Sequence, residues 1–144
     1  MNARKLRLYH RLQVAARTVQ KAADRVIAEA AELTTAQAAV LTVVAASDHV
    51  TQRDVAATLH LNESAVTAMV GRLLRLGFLE RVRSDVDPRA WRLRVSKAGH
   101  AVMAKSRSAF ASINARIEAE FSHEEIKRLA DFLDRLTAAF EAGA

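Results

Sequence analysis

The apolar residues of this chain keep a helical period almost everywhere, and the period breaks once, at Gly77. Before it, Val66, Met69, Val70, Leu73, Leu74 and Leu76 recur at helical spacing, as along one face of a helix. After it, "FLERVR" and "AWRLRV" alternate with a period of two. The polar stretch "SDVDP" parts them, which predicts a single β-hairpin. A hairpin alone cannot hide its apolar face, so this one has to pack on helices. The predicted fold class is mainly α with a small β-hairpin wing (α+β). Breakers are scarce, with 4 Gly and 1 Pro in 144 residues, which agrees with a mostly helical chain. That length suits one domain with its own core.

Local signals place the helices. A first helix is expected from Ala3 to Glu32, with a seam at Leu8, Leu12, Ala15, Val19, Ala22 and Val26. Thr34 followed by Gln37 forms a capping box for a helix that runs to about Ala46. Thr51, with Asp54 placed to reach back, caps a short helix, and Asn62 caps the next. Gly77 is a natural residue just past a helix end. Ser96 caps a helix lined by Val102, Ser106, Phe110, Ile113 and Ile117. Ser122 with Glu125 starts the last helix, whose face is Ile126, Leu129, Leu133, Leu136 and Phe140. The middle helices and the hairpin read as a winged helix-turn-helix over residues 34–97. The flanking helices, 3–32 and 98–142, read as a separate apolar layer within one domain, 1–144.

Charge is segregated along the chain. Residues 1–25 carry seven Lys/Arg and one acid, and residues 72–97 carry eight against three. Residues 26–71 carry one against five, so the net charge of +6 sits in two basic blocks. Concentrated basic surface points to a polyanion, with nucleic acid first and a membrane surface second. No apolar run reaches the roughly 18 residues of a spanning helix. The N-terminus lacks the pattern of a signal peptide, so a cytoplasmic location is expected. With no Cys, thiolate catalysis, disulfides and Cys-ligated zinc are excluded. His10, His49, His60, His100 and His123 are scattered, and no nucleophile, base and orienter cluster in the sequence. The expectation is a protein that is not an enzyme and has no cofactor or resident metal.

The helix that starts at Asn62 turns Val66, Met69, Val70 and Leu73 inward. Its other face carries Glu63, Ser64, Thr67, Ala68, Gly71, Arg72 and Arg75, with Ala65 also near its start. Short polar residues at the start of the second of two closely linked helices suit reading of a major groove. Ser64 and Thr67 can bond base edges or phosphate. Arg72 and Arg75 suit phosphates, and Glu63 could accept from a cytosine amino group. An ordinary solvated helix face would look the same on this helix alone. The hairpin shifts the balance toward the DNA reading. Arg81, Arg83, Arg92 and Arg94 are expected to project from its strands as phosphate contacts, while Trp91, Leu93 and Val95 hold it to the core. Arg89 at the tip can enter a minor groove. Asp87 can grip and aim Arg89, and Pro88 stiffens the turn. Asp85 has no assigned role beyond the turn.

From Leu33 to Gly99 the chain resembles the MarR family of bacterial transcriptional regulators. The residues that carry the resemblance are "TTAQAAVL", "VAATLHLNESAVTAMVGRLLRLGFLERV" and "DPRAWRLRVSKAGH". That family has an Asp-x-Arg wing signature shortly before a Thr-x-x-Gly helix start. Asp87-Pro88-Arg89 and Ser96-Lys97-Ala98-Gly99 fill these places here, with Ser for Thr. The wing tip has one arginine where many members have two, and Ala68 stands where a longer polar residue is common.

The resemblance implies a homodimer on a pseudo-palindromic operator in double-stranded DNA, with Arg89 as the minor-groove residue and Asp87 as its orienting partner. Dimerisation would bury Leu8, Leu12, Ala15 and Val19 with Ile126, Leu129, Leu133, Leu136 and Phe140 about a two-fold axis. It further implies a repressor that occludes a promoter and is released by a small aromatic or anionic effector. His10 and Arg17 are candidates to line the effector's pocket, and solvent exposure or packing between subunits is their simpler reading. The alternatives are a winged helix used for protein contacts and a metal-responsive regulator. No membrane partner is expected.

Overall fold

The computed structural model describes residues 7–141. In chain order the elements are α1 (Leu8–Ala31), α2 (Thr35–Ala45), α3 (Gln52–Leu59) and α4 (Glu63–Arg75). They are followed by β1 (Leu79–Arg83), β2 (Trp91–Val95), α5 (Lys97–Glu118) and α6 (His123–Glu141). The fold is mainly α with a two-stranded antiparallel sheet, as the patterning predicts. The expected start of the first helix at Ala3 and the end of the helical layer at residue 142 lie outside the described residues. No single helix among the described residues is long and apolar enough to cross a membrane.

The chain divides into two compact units that part between Phe110 and Ala111, inside α5. The first holds one core. Val40, Leu41 and Val44 of α2 meet Val55 of α3 and Val66, Val70 and Leu73 of α4. Leu79, Leu93 and Val95 of the hairpin close it. The last turns of α1 add Ile27 and Ala31, and α5 adds Val102 and Ala109. Val66, Val70 and Leu73 of α4 and Ile27 and Ala31 of α1 keep three- and four-residue spacing, so these helices bury one stripe, whereas α2 buries adjacent Val40 and Leu41.

The caps explain where the helices begin. The Thr34 hydroxyl accepts the Gln37 N–H while the Gln37 side chain accepts the Thr34 N–H. Thr51 and Asp54 form the same box for α3. Each box satisfies two otherwise orphaned donors. At the end of α4, Gly77 has φ 74°. The Phe78 N–H bonds Leu73 O (2.9 Å) and the Gly77 N–H bonds Leu74 O (3.1 Å). That left-handed turn sends the chain into β1.

Ser96 joins the hairpin to α5. Its N–H bonds Phe78 O (3.0 Å) and its hydroxyl donates to Gly77 O (2.5 Å) and accepts the Gly99 N–H (3.0 Å). Gly99 is needed because a Cβ there would overlap the Phe78 carbonyl oxygen and stand 2.7 Å from Val95 Cγ1. The Ser-x-x-Gly pattern thus has a physical basis, a cap and a close backbone approach three residues apart.

In the second unit, Ser122 and Glu125 form the predicted cap of α6. The Glu125 carboxylate accepts both the N–H and the hydroxyl of Ser122 at 2.8 Å. These two bonds, the backbone one first, hold the Glu125 carboxyl below its ordinary pKa. No residue of α6 is buried.

Candidate nucleic-acid interface

The turn between α3 and α4 is short because His60 adopts a left-handed conformation (φ 52°). The Leu61 N–H then closes back on Ala56 O at 3.0 Å. Asn62 caps α4, its side-chain oxygen accepting from the Ala65 N–H and the Ser64 hydroxyl, both at 2.8 Å. With Val66, Val70 and Leu73 buried, Glu63, Ser64, Thr67, Ala68, Arg72 and Arg75 are exposed. Ala65 is half-buried on the flank.

Two residues of α3 join this surface that sequence patterning does not single out. Gln52 donates to the Thr67 hydroxyl (3.1 Å) and accepts from Arg81 (3.3 Å), so it bridges α4 and the hairpin. Arg53 lies 3.5 Å from Glu63, and both side chains are largely exposed. Their only sequence signal is that they open the first turn after the Thr51 cap.

In the hairpin, Arg81 faces Leu93 and Arg83 faces Trp91 across the strands. Leu93 is buried and donates its N–H to Val50 O (2.8 Å), which docks β2 on the segment before α3. Trp91 shares that face but lies past the edge of the core. It is 48% exposed, with the Arg83 guanidinium 4.6 Å above its ring. The expectation that Trp91 holds the hairpin to the core is corrected: Leu93 and Val95 do that, and Trp91 packs under Arg83. Arg83 also donates to Pro88 O (2.7 Å), so its role includes bracing the loop.

The largest correction concerns Arg92, which is 6% exposed and does not project toward a ligand. It donates to Ser84 Oγ (2.9 Å) and hydrogen-bonds His49 Nδ1. Arg94 is exposed and held by Glu80 at 2.7 Å. The acids at the tip also differ from expectation. The Asp87 carboxylate accepts the backbone N–H of Arg89 (2.9 Å) rather than gripping its guanidinium. Asp85 lies 3.6 Å from Arg92, which gives it the role that the sequence left open. The side chains of Arg72, Arg75 and Arg89 have no acidic partner among the described residues.

A cavity of about 300 Å³ lies between α2 and α5, lined by Ala38, Thr42, Ala45, Ala46, Met103, Ser106, Arg107 and Phe110. His10 and Arg17 are exposed on α1 and do not line it. The hydroxyls of Thr42 and Ser106 are spent on helix carbonyls at 3.0 Å, which leaves Arg107 as its cation. Among the described residues no three His, Asp or Glu side chains converge as a metal site. Two apolar faces lie open. On α1, Leu8 is 68% exposed and Leu12, Ala15 and Val19 are also exposed. On α6, Leu129, Leu133, Leu136 and Phe140 are exposed and Ile126 is half-buried.

Two closely linked helices followed by a basic hairpin define a winged helix-turn-helix protein. Residues 31–90 match the family model described as MarR family. The chain is 30% identical over 76 residues to the HTH-type transcriptional regulator BilQ of Clostridioides difficile, a match covering 53% of this chain and 51% of that protein. The chain thus spans about half the length of this curated relative. The PcaV transcriptional regulator of Streptomyces coelicolor, solved with its natural ligand, superposes with a TM-score of 0.75 at 29% identity. That alignment covers 87% of this chain and 90% of PcaV. MepR of S. aureus, solved as a DNA complex, superposes at 0.82 with 19% identity, covering 91% and 96%, a likeness of fold. These relatives are regulators rather than enzymes.

Proposed function

We propose that this chain is a homodimeric, sequence-specific DNA-binding transcriptional regulator that occludes a promoter at a pseudo-palindromic operator. The observation that carries the reading is Arg89. Its guanidinium has no partner among the described residues and stands at the tip of a loop whose backbone is held internally, while Arg83, Arg92 and Arg94 are engaged within the hairpin. A fixed loop with a free cation at its end suits a narrow, strongly negative groove. Ser64, Thr67, Arg72 and Arg75 supply the recognition-helix contacts, and Arg81 adds a cation beside them. MepR, of the same fold, was solved on DNA. Residues 34–97 act as the reading lobe, and 3–32 with 98–142 as the dimerisation layer. The exposed stripes on α1 and α6 are the faces a two-fold partner would cover. The two recognition helices would then lie about one DNA turn, roughly 34 Å, apart.

Release by a small effector belongs to the same reading, and PcaV was solved with a natural ligand. The cavity between α2 and α5, with Arg107 at its wall, fits a small aromatic anion better than the surface around His10 and Arg17. Such a ligand acts only by binding DNA-competent and DNA-incompetent forms unequally. Displacement of DNA by aromatic carboxylates, and its loss in Arg107→Ala, is the measurement for this part.

The central experiment is binding to the DNA flanking the gene and to random duplex at several salt concentrations. A steep negative log–log slope and preference for the native flank are expected. Arg89→Ala should weaken binding by about 1–3 kcal/mol. Absence of binding at low salt overturns the proposal, and an unchanged affinity in Arg89→Ala removes the wing-tip role.

A further inference from the structure

Alternation along β2 puts Arg92 and Arg94 on one face, and on sequence grounds they look equivalent. They are not. The Arg94 side chain is 65% exposed and the Arg92 side chain 7%. A guanidinium is costly to bury unless its donors are satisfied, and a buried charge therefore favours one geometry over its neighbours. For Arg92 that geometry joins two separate parts of the chain. On one side it bonds His49 Nδ1, next to Val50, whose carbonyl accepts the Leu93 N–H. On the other side it donates to Ser84 Oγ at the root of the wing loop (2.9 Å), with Asp85 Oδ2 at 3.6 Å.

Ser84 passes the constraint outward. Its Oγ also accepts the N–H groups of Val86 and Asp87, each at 3.2 Å, and its own N–H bonds Ala90 O at 3.1 Å. Asp87 in turn accepts the Arg89 N–H through its side chain and the Ala90 N–H through its carbonyl. Ser84 and Asp87 thus link the buried guanidinium of Arg92 to the backbone of Arg89. We propose that Arg92 is the positioning residue of the wing: its guanidinium ties the segment before α3 to the loop root and so fixes the backbone from which Arg89 reaches DNA. The inference rests on the DNA-binding reading above and goes beyond it, since it assigns Arg92 no contact with DNA. The fork of a guanidinium reaches His49 and Ser84 together, which a lysine, a single point donor, does not.

The test compares wild type, Arg92→Met, Arg92→Lys, Arg89→Ala and the Arg92→Met/Arg89→Ala double variant. Each is measured for affinity to one operator-containing duplex and for amide exchange of the free protein. Arg92→Met should weaken binding about tenfold when Arg89 is present and not further when Arg89 is alanine, because the two act through one path. Arg92→Lys should fail to restore affinity, whereas a plain phosphate contact would be restored. In the absence of DNA, the Val86, Asp87 and Arg89 amides should exchange faster in Arg92→Met than in wild type. Equal losses in both backgrounds, rescue by lysine, or unchanged exchange in the loop each overturn the proposal. If Arg92→Met does not fold, Ser84→Ala, which removes only the loop-side acceptor, must show the same non-additivity with Arg89→Ala. If wild type binds no duplex, the DNA reading fails, and the exchange comparison still decides whether Arg92 orders the loop.

Discussion

The same substitution, glycine to alanine, should have opposite signs at two places in this chain. Gly71 lies inside α4, and a Cβ there would come 3.4 Å from the tip of the flexible Arg75 side chain and meet nothing nearer. Alanine in a helix interior is favoured over glycine by about 1 kcal/mol, so Gly71→Ala should stabilise by up to that amount. Gly99 lies in the first turn of α5, where the same propensity gain applies. There, however, a Cβ would overlap the Phe78 carbonyl oxygen and stand 3.1 Å from its carbon. That group is backbone, and it accepts the Ser96 N–H at 3.0 Å, so it cannot swing aside as Arg75 can. Overpacking costs about 1–3 kcal/mol, and weakening the Ser96 bond costs about 1 more. Less the propensity gain, Gly99→Ala should lose about 1–3 kcal/mol. For a chain of this size that is a fall in Tm of roughly 3–12 °C. Urea and thermal unfolding of both variants, at one fixed protein concentration, provide the assay. A Gly99→Ala protein at least as stable as wild type would refute the packing at the junction of hairpin and α5.

Two further outcomes follow from the geometry. The Asp24 carboxylate accepts the Thr35 N–H (2.8 Å), the Thr35 hydroxyl (2.7 Å) and the Gln20 amide (3.2 Å). The backbone bond is the main cause of a pKa held below the ordinary carboxylate value, and burial opposes it. A depressed folded pKa gives stability that is complete above the unfolded value, near 4, and is lost as pH falls through the folded value. Asp54, held chiefly by the Thr51 N–H, acts in the same direction. Asp24→Asn should therefore cost about 1 kcal/mol at pH 7 and flatten the loss of stability as pH falls below the ordinary carboxylate value in urea titrations. An unaltered pH profile would contradict this. On α6, Leu133 is 43% exposed on the open apolar face. Leu133→Glu should give a monomer in sedimentation velocity and weaken operator binding while leaving the helical content intact. A dimer that persists would move the interface elsewhere.

What could be read in the sequence depends on how far each interaction reaches along the chain. Thr34 with Gln37, Thr51 with Asp54 and Ser122 with Glu125 are legible because a cap and its partner lie three residues apart and need no tertiary information. Gly77 is legible for the same reason, since a left-handed turn after an apolar helix is a local event. The wing is legible as a hairpin but not as a surface. Period two assigns residues to faces, and it assigned Arg92 and Arg94 to one face correctly. It cannot say which part of a strand has passed beyond the core, or what covers the far face. Trp91 is exposed because it lies past the core edge, although it shares a face with Leu93. Arg92 is buried because His49, 43 positions earlier in the chain, and Ser84 close over it. Counting arginines therefore overstates the cations that face outward on this hairpin. Of five between Arg81 and Arg94, one is buried, one is paired with Glu80 and one is stacked on Trp91. Arg81 is hydrogen-bonded to Gln52, which leaves Arg89 as the arginine of the hairpin without a partner for its guanidinium among the described residues. The clustering that first suggests a polyanion partner is thus partly structural. The cations that shape the wing and the cation that projects from it are different residues, and only the three-dimensional contacts tell them apart.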